Sequence, residues 1–104
     1  MTVWMNEYEI DDAVRRYEGH PALGPAARTL RNLRDEVNRN SDGWPYWKKP
    51  ARAAQQLMTL VVGDPRDRFN DRDDVTAAQV RKTYTPIKAF LTRNGLTIEL
   101  EDPV

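Results

Sequence analysis

The chain contains no cysteine, a single histidine (His20) and a single serine (Ser41). Without thiols there is no disulfide framework and no thiolate metal site, and a reducing compartment is compatible with the sequence. His20 stands between Gly19 and Pro21, which is loop chemistry. Ser41 precedes Asp42-Gly43, which is turn chemistry. No nucleophile–base pair is visible, so no enzyme activity and no catalytic residues are expected. Long apolar runs are also missing. The longest, Leu57-Met58-Thr59-Leu60-Val61-Val62, is broken by a threonine, so no membrane span is expected. Met1 to Glu7 offers neither a basic n-region nor an apolar h-region, and no signal peptide is expected. Net charge is lacking too: 16 basic and 16 acidic residues give +0. That balance argues against bulk non-specific nucleic-acid binding, though it leaves room for one basic face.

What is present is charge sorted along the chain. Residues 1–14 carry −4, residues 15–52 carry +5, residues 64–74 carry −2, residues 81–95 carry +4 and the tail carries −3. The length of 104 residues suits a single domain, 1–104, with a modest core.

The apolar residues fall largely at helical spacing. Asn6 with Glu9 reads as a capping box for a helix over residues 7–18, whose stripe is Ile10, Ala13, Val14 and Tyr17. Pro25 suits the first position of a second helix, with the stripe Ala26, Leu30, Leu33 and Val37, running to about residues 38–40. Asp35 and Arg39 form an i,i+4 pair on it. Pro50 opens a third helix, with Ala54, Leu57, Met58 and Val61, ended by Gly63. Thr76 with Gln79 caps a fourth, with Val80, Tyr84, Ile87 and Leu91. Pro86 interrupts it, predicting a kink or a break, and Asn94-Gly95 ends it. Thr2–Met5 reads as a short strand. Leu96, Ile98 and Leu100 alternate with Thr97, Glu99 and Glu101, which predicts a half-buried strand that pairs with it. The fold class expected is mainly α: a compact domain of three to four helices with a minor two-stranded β-ribbon pairing the termini.

The most distinctive stretch is Asn40 to Pro50. Trp44, Tyr46 and Trp47 stand there beside Lys48, Lys49 and, just beyond, Arg52. Two readings compete. The rings close the core by packing against Leu30/Leu33/Val37 and Leu57/Met58/Val61, or one or more remain exposed as an aromatic anchor with a basic rim. Trp44, Tyr46, Trp47, Lys48, Lys49 and Arg52 are the candidate partner-binding residues. The alternative is a nucleic-acid surface on the second helix, with Arg28, Arg31, Lys48 and Lys49, joined by Arg34 and Arg39. No helix-turn-helix spacing accompanies it, and a solvated helix face explains the arginines equally well. The aspartates 64, 67, 71, 73 and 74 lack the glycine and the closing glutamate of a calcium loop, and arginines alternate with them. No metal and no cofactor are expected.

The run Ser41-Asp42-Gly43-Trp44-Pro45-Tyr46-Trp47, followed by Pro50 and Ala53-Ala54-Gln55-Gln56-Leu57-Met58, resembles small accessory proteins encoded by phages and prophages of actinobacteria. Ala27-Arg28-Thr29-Leu30-Arg31-Asn32-Leu33 is similar as well. The resemblance covers the middle half of the chain and implies a setting, the cytoplasm of a bacterial host. It brings no activity, and no functional residue is carried over from it. The function expected is that of a small non-enzymatic phage-type accessory protein that binds a protein partner, of host or phage, through the aromatic/basic surface.

Overall fold

The computed structural model describes residues 7–40, 52–63 and 74–103. Among these residues there are four helices: α1 (Glu7–Arg16), α2 (Leu23–Asn40), α3 (Gln55–Val62) and α4 (Ala77–Arg93). α2 packs against α1 and α3, and α3 also meets α1 and α4. The radius of gyration is 12.7 Å, that of a compact chain of this length.

The expected stripes form one core. Ile10, Ala13 and Tyr17 of the first helical segment, Ala26, Leu30 and Leu33 of α2, Ala54, Leu57, Met58 and Val61 around α3, and Val80, Tyr84, Ile87 and Leu91 of α4 are all buried. Ala22, Leu23, Ala27 and Val62 join them, and Val14, Leu60 and Phe90 pack at the edge. The side chain of Val37, the Asn6 cap, the Pro50 helix start and Thr2–Met5 lie outside the described residues.

The corner between α1 and α2 departs from the expectation that Pro25 opens the second helix. The backbone bond from Gly24 N–H to the His20 carbonyl (3.0 Å) starts the turn earlier. The imidazole Nδ1 of His20 accepts from the N–H groups of Ala22 (3.1 Å) and Leu23 (3.0 Å). His20 thus does the work of an N-cap for the turn that leads into α2, and Pro21 lies in that turn, where a missing N–H costs nothing. Tyr17 holds the imidazole edge-on at a centroid distance of 6.1 Å.

α4 begins as expected. Thr76 Oγ1 accepts from Gln79 N–H (3.3 Å) and Gln79 Oε1 accepts from Thr76 N–H (2.7 Å). The helix then runs through Pro86 without a break. Pro86 is exposed, so the carbonyl one turn back that loses its helical donor lies on the outer side of α4. The helix ends at Gly95, at φ +64°, with Leu96 N–H bonded to the Leu91 carbonyl and Gly95 N–H to that of Thr92. This pair of bonds needs a left-handed residue at Gly95.

The β-ribbon is not supported, and no strand occurs among the described residues. Leu96, Ile98 and Leu100 do half-bury in alternation against the helices, but residues 96–103 join no ladder. They are held by side chains instead. The Tyr84 hydroxyl donates to the Glu101 carbonyl (2.6 Å), and Glu101 N–H donates to Thr29 Oγ1 (2.9 Å). Thr29 and Tyr84 hydroxyls stand 3.0 Å apart. Each hydroxyl has one proton, and that of Tyr84 is already spent on the Glu101 carbonyl. The Thr29 hydroxyl must therefore donate to Tyr84, which closes a ring of three bonds. Arg28 grips the Glu101 carboxylate through Nε (2.9 and 3.0 Å) and Nη2 (2.6 Å), and Arg81 Nη2 donates to the Pro103 carbonyl (2.9 Å).

Candidate functional site: a groove between the approach to α3 and α4

Of the candidate partner-binding residues, Trp44, Tyr46, Trp47, Lys48 and Lys49 lie outside the described residues. Arg52 is described. It is exposed and lines an open groove of about 530 Å³ together with Ala53 and, across from them, Pro86, Ala89, Phe90, Arg93 and Asn94 of α4 and its end. The groove follows from the packing of α3 on α4. Residues 52–53 precede α3, and the outer face of α4 passes them with small or ring side chains at 86 and 89. Phe90 sits half-buried between core and groove, so it has firm support from below.

The chemistry of the lining is simple. Ala53, Pro86, Ala89 and Phe90 make an apolar floor, and the ionisable groups among the described lining residues, Arg52 and Arg93, are both cationic. Asn94 is committed to closing the helix, since its Nδ2 donates to the Phe90 carbonyl (2.8 Å). A second, shallower groove of about 360 Å³ runs between α4 and the C-terminal segment, lined by Lys88, Leu91, Leu96, Ile98 and Leu100 among others.

The arginines of α2 are placed differently. Arg28 is paired with Glu101, and Arg34, only 12% exposed, bridges Asp11 of α1 (2.9 Å) and its neighbour Asp35 (2.9 Å). Asp35 thus has Arg34 as a partner, and the expected Asp35–Arg39 pair lies outside the described residues because the Arg39 side chain does. Arg31 is half-buried, and its charge adds to that of Arg28 at Glu101. The Arg28 guanidinium, hydrogen-bonded to it, holds the Glu101 carboxyl below the usual carboxylate range. Burial pushes the Tyr84 phenol up, so it stays a neutral donor in the three-bond ring. Asp74 is exposed, and the aspartates at 64, 67, 71 and 73 lie outside the described residues, as does Ser41.

The sequence reading missed the α4 half of the groove. It singled out Pro86 only as a helix interrupter and left Phe90 out of the stripe Val80, Tyr84, Ile87 and Leu91. An off-stripe aromatic one turn from an exposed proline was the available signal.

Comparison with protein-family models, curated proteins and solved structures finds no match to this chain, so the groove is read from its own geometry. Among the described residues, no helix is long and apolar enough to cross a membrane.

Proposed function

We propose that this chain is a small non-enzymatic binding protein whose docking surface for a protein partner is the groove beside Arg52, with Trp44, Tyr46, Trp47, Lys48 and Lys49, which precede Arg52 in sequence, as further partner-binding residues. The observation that carries this is the juxtaposition of an apolar floor, built on Phe90 and Pro86, with the cationic groups of Arg52 and Arg93 at its margin. Desolvated aromatic area at the centre with charge at the rim is how protein interfaces divide affinity from orientation. A protein partner is favoured over nucleic acid because Arg28 and Arg34 are already engaged with carboxylates, which depletes α2 of charge for phosphates. The non-enzymatic reading is supported by His20, whose Nδ1 is spent on two backbone N–H groups. The resemblance to small actinobacterial phage proteins supports a setting in a bacterial cytoplasm, with a host or phage protein as partner.

The test uses Ala89→Glu, which places a long acidic side chain on the groove floor at an exposed, helix-compatible position. The wild-type chain should retain from an actinobacterial lysate a protein that Ala89→Glu, equally folded by circular dichroism, does not. Equal retention by both, or displacement of the partner by single-stranded DNA, contradicts the proposal.

A further inference from the structure

We infer that the groove takes an acidic segment of its partner, with one large apolar side chain seated on the floor and carboxylates on either side. This inference rests on the docking reading above and names the chemistry of what docks. Three observations carry it. First, the charge of the lining has one sign among the described residues: Arg52 and Arg93 are present and no described acidic residue lines the groove. Second, these two arginines have no ion-pair partner among the described residues. The arginines at 28, 34 and 81, by contrast, each hold a carboxylate. Two cations with no carboxylate partner among the described residues, at the margin of an apolar floor, suit carboxylates supplied from outside. Third, Pro86 is an interior helix residue and exposed. A proline there weakens the helix and adds nothing to the core. A local rule broken without return in packing marks a position kept for surface use, and the Pro86 ring lies in the groove lining beside Phe90. The groove is open to solvent, which suits a side chain projecting from a peptide better than an enclosed small molecule.

The order of events follows from the same parts. The arginines raise the encounter rate with an acidic chain, and burial of the apolar residue against Phe90 and Pro86 then sets the residence time. Affinity should fall with salt through the first effect and fall with truncation of the anchor through the second.

The experiment is fluorescence anisotropy on the full chain with three short fluorescein-labelled peptides: a central tryptophan flanked by glutamates, the same tryptophan flanked by lysines, and alanine flanked by glutamates. The glutamate–tryptophan peptide should bind at least about tenfold more tightly than either of the others. Its affinity should drop about three- to tenfold in Arg52→Ala and in Arg93→Ala, with a flatter salt dependence, and at least about tenfold in Ala89→Glu. Lys88→Ala, which removes an α4 charge outside this groove, should leave it unchanged. Equal binding of the lysine-flanked peptide, equal binding of labelled oligothymidylate, no binding of any peptide, or insensitivity to Ala89→Glu each overturns the inference. A lysate protein that is lost on Ala89→Glu but held unchanged by Arg52→Ala and Arg93→Ala overturns the acidic-partner inference and leaves the docking reading standing. Retention of every captured protein by Ala89→Glu removes both.

Discussion

At Gly24 an added methyl would stand 2.8 Å from the Tyr17 carbonyl oxygen and 3.4 Å from that of Glu18. Those are backbone atoms at the end of the first helical segment, so they cannot swing aside as a side-chain tip would. Gly24→Ala should therefore force the α1–α2 corner apart and cost about 1–3 kcal/mol, despite alanine's better helix propensity. Thermal or urea unfolding reads this directly, and an unchanged midpoint would mean that the corner can relax. His20 makes a complementary prediction at the same corner. His20→Ala leaves two N–H groups without their acceptor and should cost about 1 kcal/mol, whereas His20→Asp, which restores a capping oxygen, should recover most of it. The sequence made this histidine look like an idle loop residue. Its role was hidden because histidine is not among the usual capping residues, and Pro25 offered a more familiar start one turn too late.

The C-terminal segment is the element in which pattern and structure diverge most usefully. Alternation of Leu96, Ile98 and Leu100 correctly reported an extended, half-buried chain. It did not report what the backbone bonds to, because a period of two reflects burial of one face and carries no information about a ladder. The actual partners, Thr29 and Tyr84, meet the segment through contacts 72 and 17 residues apart in sequence, and they meet each other across 55. Thr29 lay beside the α2 stripe, and a buried threonine there was a sign that a polar partner had to exist. The charge sorting was a further sign: the acidic tail does return to the basic stretch, as Arg28 with Glu101.

Two expectations follow for this element. Tyr84→Phe opens the three-bond ring and strands the Glu101 carbonyl and the Thr29 hydroxyl, which should cost about 1–3 kcal/mol in denaturant unfolding. Glu101 supplies the pH dependence. Its folded pKa is depressed, so its contribution is fully present above the unfolded carboxylate value and is lost as pH falls through the folded one. The pair is partly exposed to water, which limits its worth to about 0.5–1 kcal/mol. Glu101→Gln should lower stability by that amount at neutral pH, and the wild-type and variant curves should converge in acid. A gap that persists below the carboxylate range would assign the difference to something other than the Arg28 pair.

Across the whole molecule, the helical class and most of the core were legible because four amphipathic stripes keep their phase. That phase survives even Pro86, where Val80, Tyr84, Ile87 and Leu91 stay on one buried face. The candidate site was only half legible. Arg52 was foreseen as a rim residue, and the structure places it at a groove. The opposite wall, Pro86, Ala89, Phe90 and Arg93, is assembled by tertiary packing of α3 on α4, which no local pattern encodes. Arg52, one of the six residues proposed from sequence, shares this surface with residues that sequence alone did not connect to it, and the other five lie outside the described residues. That Arg52 and Arg93 have no ion-pair partner among the described residues becomes visible only once the internal pairs of Arg28, Arg34 and Arg81 are known. The claim that joins these levels is that binding happens at this groove, and amide chemical shifts test it residue by residue. In a titration of the ¹⁵N-labelled chain with the glutamate-flanked tryptophan peptide, the amides of Arg52, Ala53, Ala89, Phe90, Arg93 and Asn94 should move together and saturate at one affinity. Those of Arg28, Arg31 and Arg34 should stay in place. Shifts centred on the α2 arginines or on residues 96–101, with the groove amides unmoved, would contradict it.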